Sequence, residues 1–173
     1  WLTNEESRSF VQTLRAECDA VLTGGNTVRL DNPSLTIRKP DRPVSPLKEQ
    51  PWRIILTHDA SSIPADSICL TDEFRDRTLV VENVFNYLEL LKKLYNNKKI
   101  GTILLEAGGC LVREFLKAGL VDEWVGFYAP IIIGGGTDGV APGPFLEHEA
   151  HLEQPVVNIF GDDVCIRGDI CYR

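Results

Sequence analysis

The sequence has no methionine, no C-x-x-C pair, no basic excess and no long apolar run, and each lack removes a class of protein. With Trp1 first and no methionine among 173 residues, further residues upstream are expected. The five cysteines, Cys18, Cys69, Cys110, Cys165 and Cys171, are odd in number, which fits neither a zinc site nor a disulfide framework. A reducing cytoplasm is the expected location, and no metal is assigned. Lys and Arg number 18 against 25 Asp and Glu, and a net charge of -7 repels polyanions. Nucleic acid is therefore not an expected partner, and any phosphate must be met by local arginines or amides. No apolar run approaches the ~20 residues that span a bilayer, and Trp1-Leu2-Thr3-Asn4 does not open a signal peptide. No membrane association is expected. Neither a G-x-S-x-G elbow nor G-x-G-x-x-G occurs, so a hydrolase triad and a Rossmann fingerprint have no support.

The length suits one domain with a full core and a ligand cleft. Thr3 and Glu6 form a capping box, and Phe10, Val11, Leu14 and Cys18 follow at helical spacing, predicting a helix to about Glu17. Strands are expected at Ala20 to Thr23, Leu35 to Arg38, Arg53 to Thr57, Ile68 to Leu70, Leu79 to Val81 and Ile100 to Glu106. The proline-rich stretch from Lys39 to Pro51 reads as a surface loop. Val84, Leu88, Leu91 and Tyr95 mark one face of a second helix. A third runs from Leu111 to Gly119, the latter as its C′ glycine. Trp124 to Ile133 is an apolar stretch closed by Gly134-Gly135-Gly136. Val156 to Phe160 and Val164 to Ile170 flank Gly161-Asp162-Asp163, a three-residue hairpin signal. Alternating strands and helices predict an α/β fold: a mixed, mostly parallel sheet with helices on both faces and a C-terminal antiparallel hairpin.

Two segments carry the candidate chemistry. In Leu104-Leu105-Glu106-Ala107-Gly108-Gly109-Cys110-Leu111, a strand ends in a glycine pair and a helix begins. Such a turn either packs tightly or offers free amides to an anion, and Glu106 stands where ligands of these folds bind. In Thr27 to Arg38, Thr27 and Asp31 lie one helical turn apart, and Arg38 follows a strand-like run. By pattern alone these are a capping threonine, an Asx turn and a surface arginine. His148-Glu149-Ala150-His151 would bring two imidazoles together on a helix, but no third ligand is spaced for zinc.

Taken together, Trp1-Leu2-Thr3, Leu14-Arg15-Ala16, Asp19-Ala20-Val21-Leu22, Thr27-Val28, Asp31-Asn32-Pro33-Ser34-Leu35-Thr36-Ile37-Arg38, Glu106-Ala107-Gly108-Gly109 and Gly119-Leu120-Val121-Asp122-Glu123 with Ala129-Pro130 resemble one family. It is the reductase domain of the bifunctional riboflavin-biosynthesis deaminase/reductase, similar in fold to dihydrofolate reductase. The resemblance implies NADPH-dependent reduction of 5-amino-6-(5-phosphoribosylamino)uracil, a phosphorylated ribosylamino-pyrimidine, at the sugar C1 carbon. It assigns cofactor contacts to Trp1, Thr27, Asp31 and Gly108, Gly109, Cys110, Leu111, Val112, Arg113 and Glu114. Substrate contacts fall to Arg15, Leu35, Arg38 and Glu106. Opening of the furanose needs proton transfer, for which Asp31 and Glu106 are the candidate catalytic residues.

The resemblance further implies a deaminase domain on the same natural chain and a homo-oligomer. The whole of 1–173 reads as one reductase domain whose lysine-bearing first strand and S-x-D-G segment would precede Trp1. His58 stands where the family has a small polar residue. Two rivals remain: a reductase of the non-deaminated pyrimidine, and a non-catalytic domain that only binds a nucleotide or assembles.

Overall fold

The computed structural model describes residues 2–45, 48–132, 146 and 148–173. Helix α1 (Glu5–Glu17) leads into strand β1 (Ala20–Gly24) and helix α2 (Gly25–Asp31). After a long irregular stretch come β2 (Trp52–Thr57), the single-turn α3 (Ile68–Thr71) and β3 (Thr78–Glu82). Helix α4 (Tyr87–Lys98), β4 (Ile103–Leu105) and α5 (Gly109–Lys117) follow, then β5 (Glu123–Tyr128), β6 (Ala150–Phe160) and β7 (Asp163–Tyr172).

Four strands form a parallel sheet in the order β3-β2-β1-β4, and three form an antiparallel sheet in the order β5-β7-β6. Alternation along β1 and β2 explains the layering. Ala20, Leu22, Ile54 and Leu56 face Leu90 and Leu94 of α4 and Phe115 of α5. On the opposite face Ile55 meets Val28 of α2 and Cys69 of α3. The expected α/β class with helices on both faces is thus the one observed, with the terminal hairpin antiparallel. Phe10 and Leu14 of α1 pack with Cys165, Leu104, Val125 and Phe160, so one helix bridges both sheets. Among the described residues β4 pairs only with β1 and β5 only with β7, which leaves one free edge on each.

Several local expectations need correction. Asn4, not Thr3, caps α1: its side chain accepts from the Ser7 amide at 3.0 Å, while its own amide donates to Asp163 at 2.8 Å. Ile68 to Leu70 are helical, because a short apolar run does not distinguish helix from strand. The buried stripe of α4 is Leu90 and Leu94, with Leu88 and Tyr95 exposed, since the Asn86 cap starts the helix only at Tyr87. Phe160 pairs with Asp163, so the hairpin turns on Gly161-Asp162, with Gly161 at a φ of 56°. His151 lies in a strand, not a helix, with Nε2 2.9 Å from Glu149. Gly134-Gly135-Gly136 fall outside the described residues.

Leu35 to Arg38 form no strand. Leu35 has a φ of 54°, in the left-handed region, and is 1% exposed. The backbone there is held by side chains instead of a neighbouring strand.

Candidate active site

Strands β1 and β4 are parallel neighbours, with Leu22 opposite Leu105, so the turns that follow them open at the same end of the sheet. Both are glycine pairs. A Cβ on Gly25 would lie 2.9 Å from Thr57 Oγ1, so packing alone requires glycine there. Gly108 differs: a Cβ there would meet nothing within 4 Å, and its φ is -66°. This glycine is not demanded by packing or by backbone strain, and the space beside it is open.

Gly108 is the N-cap residue of α5, and its carbonyl accepts from the Leu111 and Val112 amides at 3.0 and 3.2 Å. That leaves Gly109 and Cys110 with amides an α-helix cannot satisfy internally. Positive helix ends attract anions, so the turn fits a dinucleotide phosphate. The Leu111 side chain packs in the core instead, and Gly24 approaches its Cδ2 at 3.8 Å once given a Cβ. Arg113 and Glu114 lie in the second helical turn, where Glu114 adds to the burial that pushes the Tyr87 hydroxyl up. Thr27 is half-buried on α2, and Asp31 ends that helix as an exposed carboxylate. Trp1 lies outside the described residues.

The substrate candidates are drawn together by one ion pair. Arg15, on the last turn of α1, is 5% exposed, and its Nε and Nη2 donate to the two oxygens of Glu106 at 2.9 and 2.5 Å. Its Nη1 donates to the Thr36 carbonyl at 2.9 Å. Glu106 leaves the end of β4, where its amide donates to the Leu22 carbonyl at 2.9 Å. A forked guanidinium holds both oxygens of a carboxylate in one plane. The Glu106 side chain keeps 35% of its surface exposed, so the fixed carboxylate is still open to solvent.

The segment bearing Leu35 and Arg38 is pinned on every side. The Ile37 amide donates to Gln50 at 2.7 Å, the Arg38 amide to Gln12 at 3.0 Å, and the Ser34 carbonyl accepts from Arg53 at 3.0 Å. The Arg38 residue itself is exposed. Gln12, Gln50 and Arg53 were not among the sequence candidates. For Arg53 a signal existed, since an arginine inside Trp-Arg-Ile-Ile-Leu on a doubly covered strand must be paired. Gln12 and Gln50 carry no such signal.

His58 is exposed just beyond β2. Among the described residues no group of three or more His, Cys, Asp or Glu side chains could hold a metal ion, and no helix is long and apolar enough to cross a membrane.

Comparison with known proteins bears on the fold and the family. The solved structure of Acinetobacter baumannii RibD (form 2) superposes with a TM-score of 0.84 at 26% identity, over 99% of this chain and 52% of that one. The dihydrofolate-reductase-like architecture expected from the sequence is therefore the one this chain adopts. The riboflavin biosynthesis protein RibD of Escherichia coli K12 is 30% identical, over 96% of this chain and 53% of the relative. A protein of Aquifex aeolicus named 2,5-diamino-6-ribosylamino-4(3H)-pyrimidinone 5′-phosphate reductase is 31% identical, over 78% of this chain and 66% of its own length. The chain spans about half the length of the Escherichia coli relative. Because the RibD C-terminal domain pattern matches residues 1–166, this chain belongs to the RibD C-terminal domain family.

Proposed function

We propose that the chain reduces 5-amino-6-(5-phosphoribosylamino)uracil to 5-amino-6-(5-phosphoribitylamino)uracil with NADPH, as the reductase domain of a cytoplasmic riboflavin-synthesising enzyme that also carries a deaminase domain. The observation that carries this reading is the Arg15–Glu106 fork, which sets a carboxylate at a strand end between the Leu35–Arg38 segment and the open Gly108 turn. When bound, NADPH supplies the hydride. In this reading the Gly109 and Cys110 amides hold its pyrophosphate, Leu111 and Val112 spend their amides on the Gly108 carbonyl, and Thr27 and Asp31 flank the cofactor from α2. Arg38 takes the substrate phosphate, and Leu35, buried at 1% exposure, anchors that segment in the protein interior. Glu106 accepts hydrogen bonds from the substrate and exchanges a proton as the furanose opens, with Asp31 as the second candidate for that exchange.

The name of the Aquifex relative favours a second reading, in which the substrate is the non-deaminated pyrimidine. Steady-state turnover of the two pyrimidines side by side separates them, and a higher kcat/KM for the uracil is expected. NADPH binding without oxidation by either compound would make this a binding domain instead.

A further inference from the structure

A strand covered on both faces ordinarily carries apolar side chains, yet β2 buries Arg53 completely, at 0% exposure. Its Nη1 donates to the Ser34 carbonyl at 3.0 Å and to Asp72 Oδ2 at 2.6 Å. Its Nη2 donates to the Cys69 carbonyl at 2.9 Å and to Asp72 Oδ1 at 2.8 Å, while Nε has no partner among the described residues. A buried ion pair of this kind adds little stability over apolar packing of the same volume, so what it contributes here is geometry. Ser34 directly precedes Leu35, whose left-handed backbone a leucine keeps only where its surroundings over-determine it.

We infer that Arg53, locked by Asp72, is a positioning residue for the substrate-facing segment 34–38, an inference that rests on the function proposed above. Arg53 fixes the entry of the segment at Ser34, and Arg15, Gln50 and Gln12 fix Thr36, Ile37 and Arg38 in turn. Release at Ser34 frees Leu35 to leave its strained conformation and moves the Arg38 guanidinium away from a phosphate. None of the Arg53 partners belongs to the cofactor turn, so the effect falls on substrate alone.

The test compares Asp72→Asn and Arg53→Lys with Asp163→Asn in the full chain. Asp163 is a buried carboxylate that ties the start of α1 to β7 through Asn4 and Ser7, and neither bond involves segment 34–38. Asp72→Asn should raise the substrate KM about tenfold, with kcat changed less than about threefold and the NADPH Kd unchanged. Arg53→Lys, which keeps the charge and loses the fork, should do the same. Asp163→Asn should lower Tm without raising KM. Hydrogen exchange, which needs no turnover, should quicken at the amides of Leu35 to Arg38 in the first two variants and remain slow along β1. Unchanged exchange at those amides overturns the inference, as does an equal rise in KM in Asp163→Asn at equal loss of Tm. Faster exchange in a chain that reduces neither pyrimidine would keep the positioning role and refute the proposed function.

Discussion

Exchanging Glu106 for glutamine keeps the size of the side chain and one oxygen, and replaces the other oxygen with a donor that faces the Arg15 guanidinium. One of the two hydrogen bonds from Arg15 is lost, at a cost of about 1.5–3 kcal/mol for a charge-assisted bond. The Arg15 side chain is 6% exposed and that of Glu106 35%, and partial solvation places the cost toward the lower end, at about 2 kcal/mol. In a domain of this size that lowers Tm by roughly 4–8 °C. If Glu106 acts mainly in the transition state, the same energy appears as an about thirtyfold fall in hydride transfer, with a smaller change in substrate KM. Stopped-flow hydride transfer at saturating NADPH measures the rate. A double-mutant cycle with Arg15→Met should give a coupling energy of about 2 kcal/mol. Normal turnover in Glu106→Gln, or coupling below about 0.5 kcal/mol, refutes the fork as the organiser of the site and leaves Asp31 as the remaining acid–base candidate.

Gly108→Ala should fold with an unchanged Tm, because its Cβ meets no protein atom, and should raise the NADPH Kd in a fluorescence titration. Arg38→Ala should raise substrate KM by the loss of a phosphate contact of about 1.5–3 kcal/mol, with NADPH affinity unchanged in the same titration. The Asp72 carboxyl is held below the usual carboxylate range by the Arg53 hydrogen bonds, so its folded pKa lies under its unfolded one. The stabilisation it adds is complete above that range and fades as pH falls through it. Thermal melts should therefore show a gap between wild type and Asp72→Asn that is constant down to about pH 5 and shrinks below about pH 4.

The parallel sheet was legible because its strands are dense apolar runs bounded by turns, and α1 because Phe10 and Leu14 recur at helical spacing behind acidic first-turn residues. Leu35 to Arg38 misled, since Leu-Thr-Ile has strand composition while a positive φ at Leu35 is invisible in a residue type that rarely adopts it. In the site, Glu106 and the glycine pair were legible from local pattern, and Arg15 only from the resemblance. That Arg15 and Glu106 form one unit was not legible, because they are 91 residues apart and meet only when α1 lies across the end of β4. The glycine pairs also look alike in sequence, yet Gly25 is required by Thr57 and Gly108 by nothing in the protein. Only the three-dimensional surroundings tell a packing glycine from one beside open space.

The central claim is that substrate and cofactor meet between the Leu35–Arg38 segment, Glu106 and the Gly108 turn. It is tested most directly by a crystal structure of the full chain with NADPH and an unreactive phosphoribosylamino-pyrimidine analogue. The account predicts the pyrophosphate on the Gly109 and Cys110 amides, the sugar phosphate on Arg38, and a ribose hydroxyl within hydrogen-bond reach of Glu106 while Arg15 keeps its fork. An analogue phosphate bound away from Arg38, or a pyrophosphate away from the start of α5, would contradict it.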